Sequence, residues 1–525
     1  MAIQISGSTV IHDSQDVQVS GVVTATSFHG DASQLTNLPA AGSSLEATAS
    51  GTLSDGSTVI VNTDGTVSVA AQTGSASPSA GTPVIFNSSN SGSYDISAVY
   101  DSTNQKVVIA YRDGGNSYYG TAIVGEVSGT GITFGTPAVF ENGDSQFISA
   151  VHDSSNNKIV IAYRNYDSSS VGKAIVGTVS GNSISFPSSP GTFENASTAY
   201  SSAIFDSTNN KVVIAYTHFG DNGYGKAIVG TVSGNGITFG SSTTFKTASQ
   251  SSPIRYIGAI YDSTNDKVVI GYRNDSNSNY GEAIVGEVSG TGISFPSSSV
   301  PYNSADSRYN KLTYDSSNDR VVIAFTDGGN SYNKAAVVGG VSGTSISFGT
   351  PVIFNSGGYS NFLSATFDSA NGKVVLAYND VGNSSYGTAI VGTVSGTSIN
   401  FGSETVFESA SSQYFSPTFD STNNRVIIAY TDAGNSYRGT AVVFAVNTLS
   451  TNLTAENFIG ISNGAYSDGQ TATVQLIGSV DDAQSSLTPG QKYYVQGDGT
   501  LSETADTPSV LAGKAISSTK LAIKG

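Results

Sequence analysis

The chain has no cysteine, no tryptophan and one methionine, and only 12% of its 525 residues are charged. Without thiols there are no disulfides and no thiolate metal sites, so strand pairing and packing alone must hold the fold. No apolar run approaches the roughly 18 residues of a membrane-spanning helix. The start, Met-Ala-Ile-Gln-Ile-Ser-Gly, lacks the basic and apolar regions of a secretion signal, so neither a leader nor membrane insertion is expected. Lys and Arg total 22 against 39 Asp and Glu, a net charge of −17, which argues against nucleic-acid grooves and anionic membrane surfaces. The four histidines, His12, His29, His152 and His218, are scattered, so neither a zinc site nor a histidine-based triad is expected.

What is present is glycine, at 60 residues, with Ser, Thr and Asn filling the gaps between short Val, Ile, Tyr and Phe runs. That mixture favours strands and tight turns and predicts an all-β protein. The apolar residues recur with a clear period. An Asp preceded by an aromatic residue or His appears as Asp101, Asp153, Asp206, Asp262, Asp315, Asp368 and Asp420, at steps of 52, 53, 56, 53, 53 and 52 residues. A turn and an apolar strand follow each one, as in Asp101-Ser-Thr-Asn-Gln-Lys-Val-Val-Ile-Ala-Tyr111.

Each repeat divides into four extended pieces, and four strands repeated seven times at about 50 residues predict a seven-bladed β-propeller. The second strand is continuously apolar, as suits burial on both faces between neighbouring blades. Gly125, Gly177, Gly230, Gly286, Gly339 and Gly392 recur in the third strand, where the next blade is expected to approach closely; the seventh repeat has Phe444 instead. That repeat also lacks a fourth strand. Thr82-Pro83-Val84-Ile85-Phe86 matches the fourth-strand ending Thr350-Pro351-Val352-Ile353-Phe354, so residues 82–86 are expected to complete the last blade. The expected organisation is a fibre or attachment segment over 1–45, a small β unit and linker over 46–81, the propeller over 82–450, and a small C-terminal β domain over 451–525.

The repeated Asp residues suit Asx turns, whose carboxylate accepts nearby backbone N–H groups, better than a metal site, because a ring would spread them apart. Asp113-Gly-Gly-Asn116 and Asp327-Gly-Gly-Asn330 lack the spaced ligand set of a Ca²⁺ loop and are read as glycine-rich turns. No metal or cofactor is expected. A glycan depolymerase is the enzymatic alternative, since glycosidases use paired carboxylates. No Ser-x-Asp-x-Gly-x-Thr-Trp box is present, and the chain is read as non-enzymatic.

In a propeller the second-to-third and fourth-to-first connections share one face, and here they vary and carry Tyr, Phe, Arg and His. Aromatics that recur there, Phe147, Tyr200, Tyr256, Tyr309, Phe362 and Tyr414, and also Tyr224, Tyr280, Tyr332, Tyr386 and Tyr437, are read as packing. The repeat-specific residues Arg112, Tyr166, His218, Phe219, Arg255, Arg273, Arg308 and Tyr359 are the receptor-binding candidates. Aromatic faces stack on sugar rings, and Arg pairs with carboxylates or phosphates of surface polysaccharides.

Two flanking stretches carry a resemblance. Val22–Pro39, with Thr24-Ala25-Thr26-Ser27-Phe28-His29-Gly30-Asp31 running to Leu35-Thr36-Asn37-Leu38-Pro39, resembles the start of tail-fibre proteins of marine bacteriophages, including cyanophages. Ala455-Glu456-Asn457-Phe458-Ile459-Gly460-Ile461, Tyr493-Tyr494-Val495 and Gly513-Lys514-Ala515 are similar to terminal segments of those virion proteins. Together they cover a minor part of the chain. The resemblance implies a homotrimer on a phage virion, exposed to the medium, joined to other virion proteins through its N-terminal segment and binding host-surface polysaccharide. A capsid or neck decoration fibre without specific receptor binding is the alternative virion role.

Overall fold

A computed structural model describes residues 3–5, 8–11, 44–359, 361–505 and 508–524. The resemblance over Val22–Pro39, and with it most of the expected attachment segment, lies outside the described residues. The protein is all-β: strands and turns are broken only by four short 3₁₀ turns, with no α-helix among the described residues. The described residues form two compact bodies, one within Ser75–Leu449 and one from those up to Gly74 together with those from Ser450 onward.

In the repeat body the first six repeats follow one plan, which the first illustrates. Ser93–Asp101, Lys106–Asp113 and Tyr119–Ser128 pair in order, antiparallel, and the outer edge is filled by Gly131–Phe134 and the start of Ala138–Asp153. Ala138–Asp153 then crosses over to become the first strand of the second repeat. Gly191–Asp206, Val300–Asp315 and Thr405–Asp420 change repeat in the same way.

The second strands are apolar on both faces because both faces are covered. Val107, Ile109 and Tyr111 pack with Ile427 and Ala429 of repeat seven, whereas Val108 and Ala110 pack with Ile159 and Ile161 of repeat two. Burial of each such Val or Ile contributes about 1.5–3 kcal/mol, which places most of the stability between repeats. First strands also bond directly to their neighbours: Ala150 N donates to Ser97 Oγ at 2.9 Å, Ala203 N to Ser149 Oγ at 2.9 Å and Ala259 N to Ser202 Oγ at 3.0 Å. Ala98 N donates to Ser416 Oγ at 2.8 Å, joining repeat one to repeat seven.

The repeated Asp residues are buried and form Asx turns. Asp101 Oδ1 accepts Thr103 N at 3.1 Å and Asn104 N at 2.9 Å, and its Oδ2 accepts Asn104 Nδ2 at 2.8 Å. The same trio of bonds is made at Asp206, Asp315 and Asp420. Val84–Asn87 pairs with the third strand of repeat seven in the register Gly439↔Asn87, Thr440↔Ile85 and Ala441↔Val84. Phe86 thereby sits 5.2 Å, centroid to centroid, from Tyr111 of repeat one.

Three expectations need correction. A Cβ on Gly125 would lie 2.8 Å from both Ile132 and Phe134. The close approach is therefore by the repeat's own outer strand and not by the next repeat. Repeat seven has no such hairpin, and Phe444 fills the space, fully buried. The Ser/Gly/Ala/Pro stretch expected as a linker is the strand Gln72–Ala80, which pairs with Arg438–Thr451; pairing an open edge needs backbone groups, not apolar side chains. Finally, the N-terminal hairpin and the C-terminal segment are not separate domains. Thr58–Val61 and Val67–Val69 share a five-stranded sheet with Phe458–Ser462 and Thr471–Gln475. The hairpin has one apolar face, Val59 and Val67, and is too small to cover it; Ala472 and Val474 do so.

Candidate functional site

The candidate site is built at the start of the first strands. In six repeats the pairing of first with second strand slips by a bulge, between Tyr94 and Ser97, Gln146 and Ser149, Ala199 and Ser202, Arg255 and Gly258, Arg308 and Lys311, and Gln413 and Ser416. A bulge re-aims a side chain out of the regular alternation. The residue re-aimed is the one six positions before the repeat Asp: Asp95, Phe147, Tyr200, Tyr256, Tyr309 and Tyr414. All six have left-handed backbone, with φ between 47° and 56°. That conformation costs a non-glycine residue about 1–3 kcal/mol and persists only where its surroundings enforce it. Here Asp95 Oδ1 accepts Phe147 N at 3.2 Å, and Asn310 Nδ2 donates to Tyr256 O at 3.2 Å.

These residues and Phe362 of the sixth repeat line one cavity of about 410 Å³. The rings touch in sequence: Phe147 to Tyr200 at 5.0 Å, Tyr200 to Tyr256 at 5.4 Å, Tyr256 to Tyr309 at 4.5 Å and Phe362 to Tyr414 at 4.8 Å between centroids. Below this aromatic belt lie Ile96, Ile148, Ile257 and Leu363. A smaller space of about 140 Å³ follows, lined by Ser97, Ser149, Ser202, Ser364 and Ser416. Two charged residues line the main cavity, Asp95 and Lys311, and each replaces the residue type that its repeat position otherwise carries. Burial pushes the Asp95 carboxyl above its ordinary range, against the opposing pull of Arg112, the Phe147 N–H and Arg164. Lys311 meets cavity solvent yet is surrounded by protein, and that burial pushes its amine below its ordinary value against the pull of Asp95.

The expected receptor-binding residues fall around this mouth, but most are already engaged. Arg112 makes a two-pronged bond to Asp144, Nε to Oδ1 at 2.6 Å and Nη2 to Oδ2 at 2.9 Å, and lies 4.1 Å from the Tyr118 ring centroid. Arg255 and Arg273 share Asp275 at 2.9 and 2.7 Å, and Arg273 also reaches Asp306 at 3.3 Å. Arg308 pairs with Asp306 at 2.6 Å and donates through Nη1 to the Tyr359 hydroxyl at 3.3 Å. The Tyr359 and Tyr309 hydroxyls are 3.3 Å apart, so this network runs into the belt. Tyr359 and Tyr166 are exposed.

His218 differs from expectation. It is 6% exposed, accepts Asp221 N at Nδ1 at 2.7 Å, and sits 3.2 Å from Glu194 through Nε2; it closes the turn Phe219–Asp221 and is not among the residues that line the cavity. Phe219 is half-buried in that turn.

Sequence reasoning missed Asp95, Arg164 and Lys311, and it read the belt as packing alone. The missing signal was the exception within the repeat. Lys311 stands where other repeats have Ser97, Ser149, Ser202, Gly258, Ser364 and Ser416, and Asp95 stands where the others are aromatic.

Comparison with protein-family models and with curated proteins finds no match. Among solved structures, an unknown-function protein from Dyadobacter fermentans is 10% identical with a TM-score of 0.42, over 70% of this chain and 99% of that one. A leech intramolecular trans-sialidase complexed with 2,7-anhydro-Neu5Ac is 10% identical at TM-score 0.40, over 72% of this chain and 68% of that one. The SapL1 lectin in complex with alpha methyl fucoside is 13% identical at TM-score 0.38, over 60% of this chain and 97% of that one. Likeness at this level assigns no activity to the chain.

Proposed function

We propose that the repeat body is a seven-bladed β-propeller whose mouth binds sugar residues of a host-surface glycan, and that the chain is a non-enzymatic adhesion component of a phage virion. The observation that carries the binding reading is the belt: five aromatic residues with left-handed backbone, aimed by repeated bulges into one cavity. Its volume falls within the roughly 300–1,000 Å³ of small-molecule sites, and aromatic faces of this kind stack on the C–H faces of sugars. The bond from Ala98 to Ser416 and the seating of Val84–Asn87 beside repeat seven support a closed ring of seven blades.

The non-enzymatic reading draws on the cavity's acids. Hydrolysis of a glycosidic bond calls for two carboxyl groups across the bond, and Asp95 is the one acidic residue among those lining the cavity. The virion assignment rests on the resemblance of the flanking stretches to phage tail fibres, and it brings with it trimeric assembly and attachment through the N-terminal segment. Substituting Tyr256 and Tyr309 together with Ala is expected to weaken adsorption of the purified chain to host cells at least tenfold, by loss of two stacking faces. Adsorption unchanged in a folded double variant rules out the mouth as the binding site.

A further inference from the structure

The chain carries a net charge of −17, yet six of its eight arginines, Arg112, Arg164, Arg255, Arg273, Arg308 and Arg438, lie where second strands end or where first or third strands begin, at the end of the repeat body that bears the aromatic belt. Asp144, Asp275 and Asp306 neutralise four of them. The nitrogens of Arg438 are taken up by Asn90 and Asn435.

Arg164 is different. Its guanidinium stacks 4.7 Å from the Phe147 ring and bonds to Thr198 O and Gln146 Oε1, but among the described residues it has no carboxylate at pairing distance. Lys311 likewise has no carboxylate at pairing distance among the described residues, and it projects into the cavity itself. A uniformly packed mouth has no need of either cation, since repeat three carries Thr217 and Ser202 at the corresponding places.

We infer that the mouth selects an anionic sugar residue, carboxylated or sulfated, whose acid group is held by Lys311 on the cavity wall with Arg164 as a second cation at the rim. The inference rests on the glycan-binding reading above. Asp95, which lines the same cavity, opposes the anion and sets a limit on its affinity, while offering an acceptor to a sugar hydroxyl. Charge-assisted bonds to carboxylate or sulfate are stronger than neutral ones and are screened by salt when they reach solvent.

The test is calorimetric titration of the full chain with oligogalacturonate, a sulfated oligosaccharide and neutral cellohexaose at low and high salt. The expected result is at least tenfold tighter binding of one or both anionic oligomers than of cellohexaose, shrinking with salt; the tighter of the two names the acid. Arg164→Thr with Lys311→Ser places in the mouth the residues that other repeats already carry, so the fold should tolerate both. In this double variant the ratio of anionic to neutral affinity should fall to about one, while Asp95→Asn should raise anionic affinity several-fold. Equal binding of neutral and anionic oligomers, or a preference that survives in the double variant, overturns the inference and leaves the glycan-binding reading standing. No binding of any oligomer overturns both.

Discussion

Glu282 offers the sharpest test of how charge is accommodated inside the repeat body. It is buried, and its two oxygens accept five bonds: Oε2 from Lys246 Nζ at 2.8 Å, Ser299 Oγ at 2.8 Å and the Tyr272 hydroxyl at 3.1 Å, and Oε1 from Asn274 Nδ2 and Asn277 Nδ2, each at 2.8 Å. Burial alone would raise its pKa, but the bonds from Lys246, Asn277, Asn274 and Ser299 prevail and hold it down from 4.5 to about 2. At about 1.36 kcal/mol per tenfold in proton affinity, the ionised group contributes about 3 kcal/mol. This contribution is complete above pH 4.5 and is lost as pH falls towards 2. Glu282→Gln replaces one acceptor oxygen by a donor and leaves Lys246 unpaired. With an unfolding entropy of about 2.1 cal/mol/K per residue over the span Ser75–Leu449, the loss should lower Tm by about 4 °C at pH 7. Thermal unfolding followed by circular dichroism from pH 7 to pH 2 measures it. The reasoning fails if the variant melts within about 1 °C of the parent at pH 7, or if the gap does not narrow in acid. The boundary between repeats one and two holds the same pair reversed, Lys173 on a third strand against Glu141 on the preceding repeat's fourth, so Lys246→Glu with Glu282→Lys should recover part of the loss.

Two further perturbations test the fold. A Cβ on Gly439 would overlap the Phe86 ring, so Gly439→Val should destabilise the repeat body by about 1–3 kcal/mol, read as a fall in Tm; an unchanged Tm would mean that Phe86 is not seated there. His152 lies 3.2 Å from Asp101, and burial depresses its pKa below 6.5 despite the opposing pull of Asp101 and Asp153. Its neutral form is the one the fold favours, so the stability it contributes is full above pH 6.5 and declines as pH falls towards its folded value. His152→Phe, the residue type of Phe205, Phe367 and Phe419 at this repeat position, should remove that slope in plots of Tm against pH; an identical slope would assign it to other groups.

The sequence makes the repeat legible because its periodic signals are local: an Asp closing its own turn, an apolar run covered on both sides, and an early Val-Ile-Phe resembling an outer strand. The site was less legible because it depends on backbone conformation. Tyr200 and Tyr256 look like any packing aromatic until their left-handed φ and the adjoining bulge turn them into a cavity. Expected candidates such as Arg273 and Arg308 are at the mouth, but each is already held by a carboxylate two residues away, Asp275 or Asp306, a local sign of engagement, while Arg164 is less encumbered. The union of Thr58–Val69 with Thr471–Gln475 spans some four hundred residues of sequence and leaves no trace in either segment alone.

The seating of Val84–Asn87 against Gly439–Ala441 has a consequence for biogenesis. The strand that finishes the last sheet emerges from the ribosome before any repeat has been made, and it must stay unpaired until all seven have followed. Loop-closure entropy and long-range pairing make such a step slow. A nascent chain stalled before residue 439 would expose two raw edges, free to pair with those of a sister chain emerging alongside it.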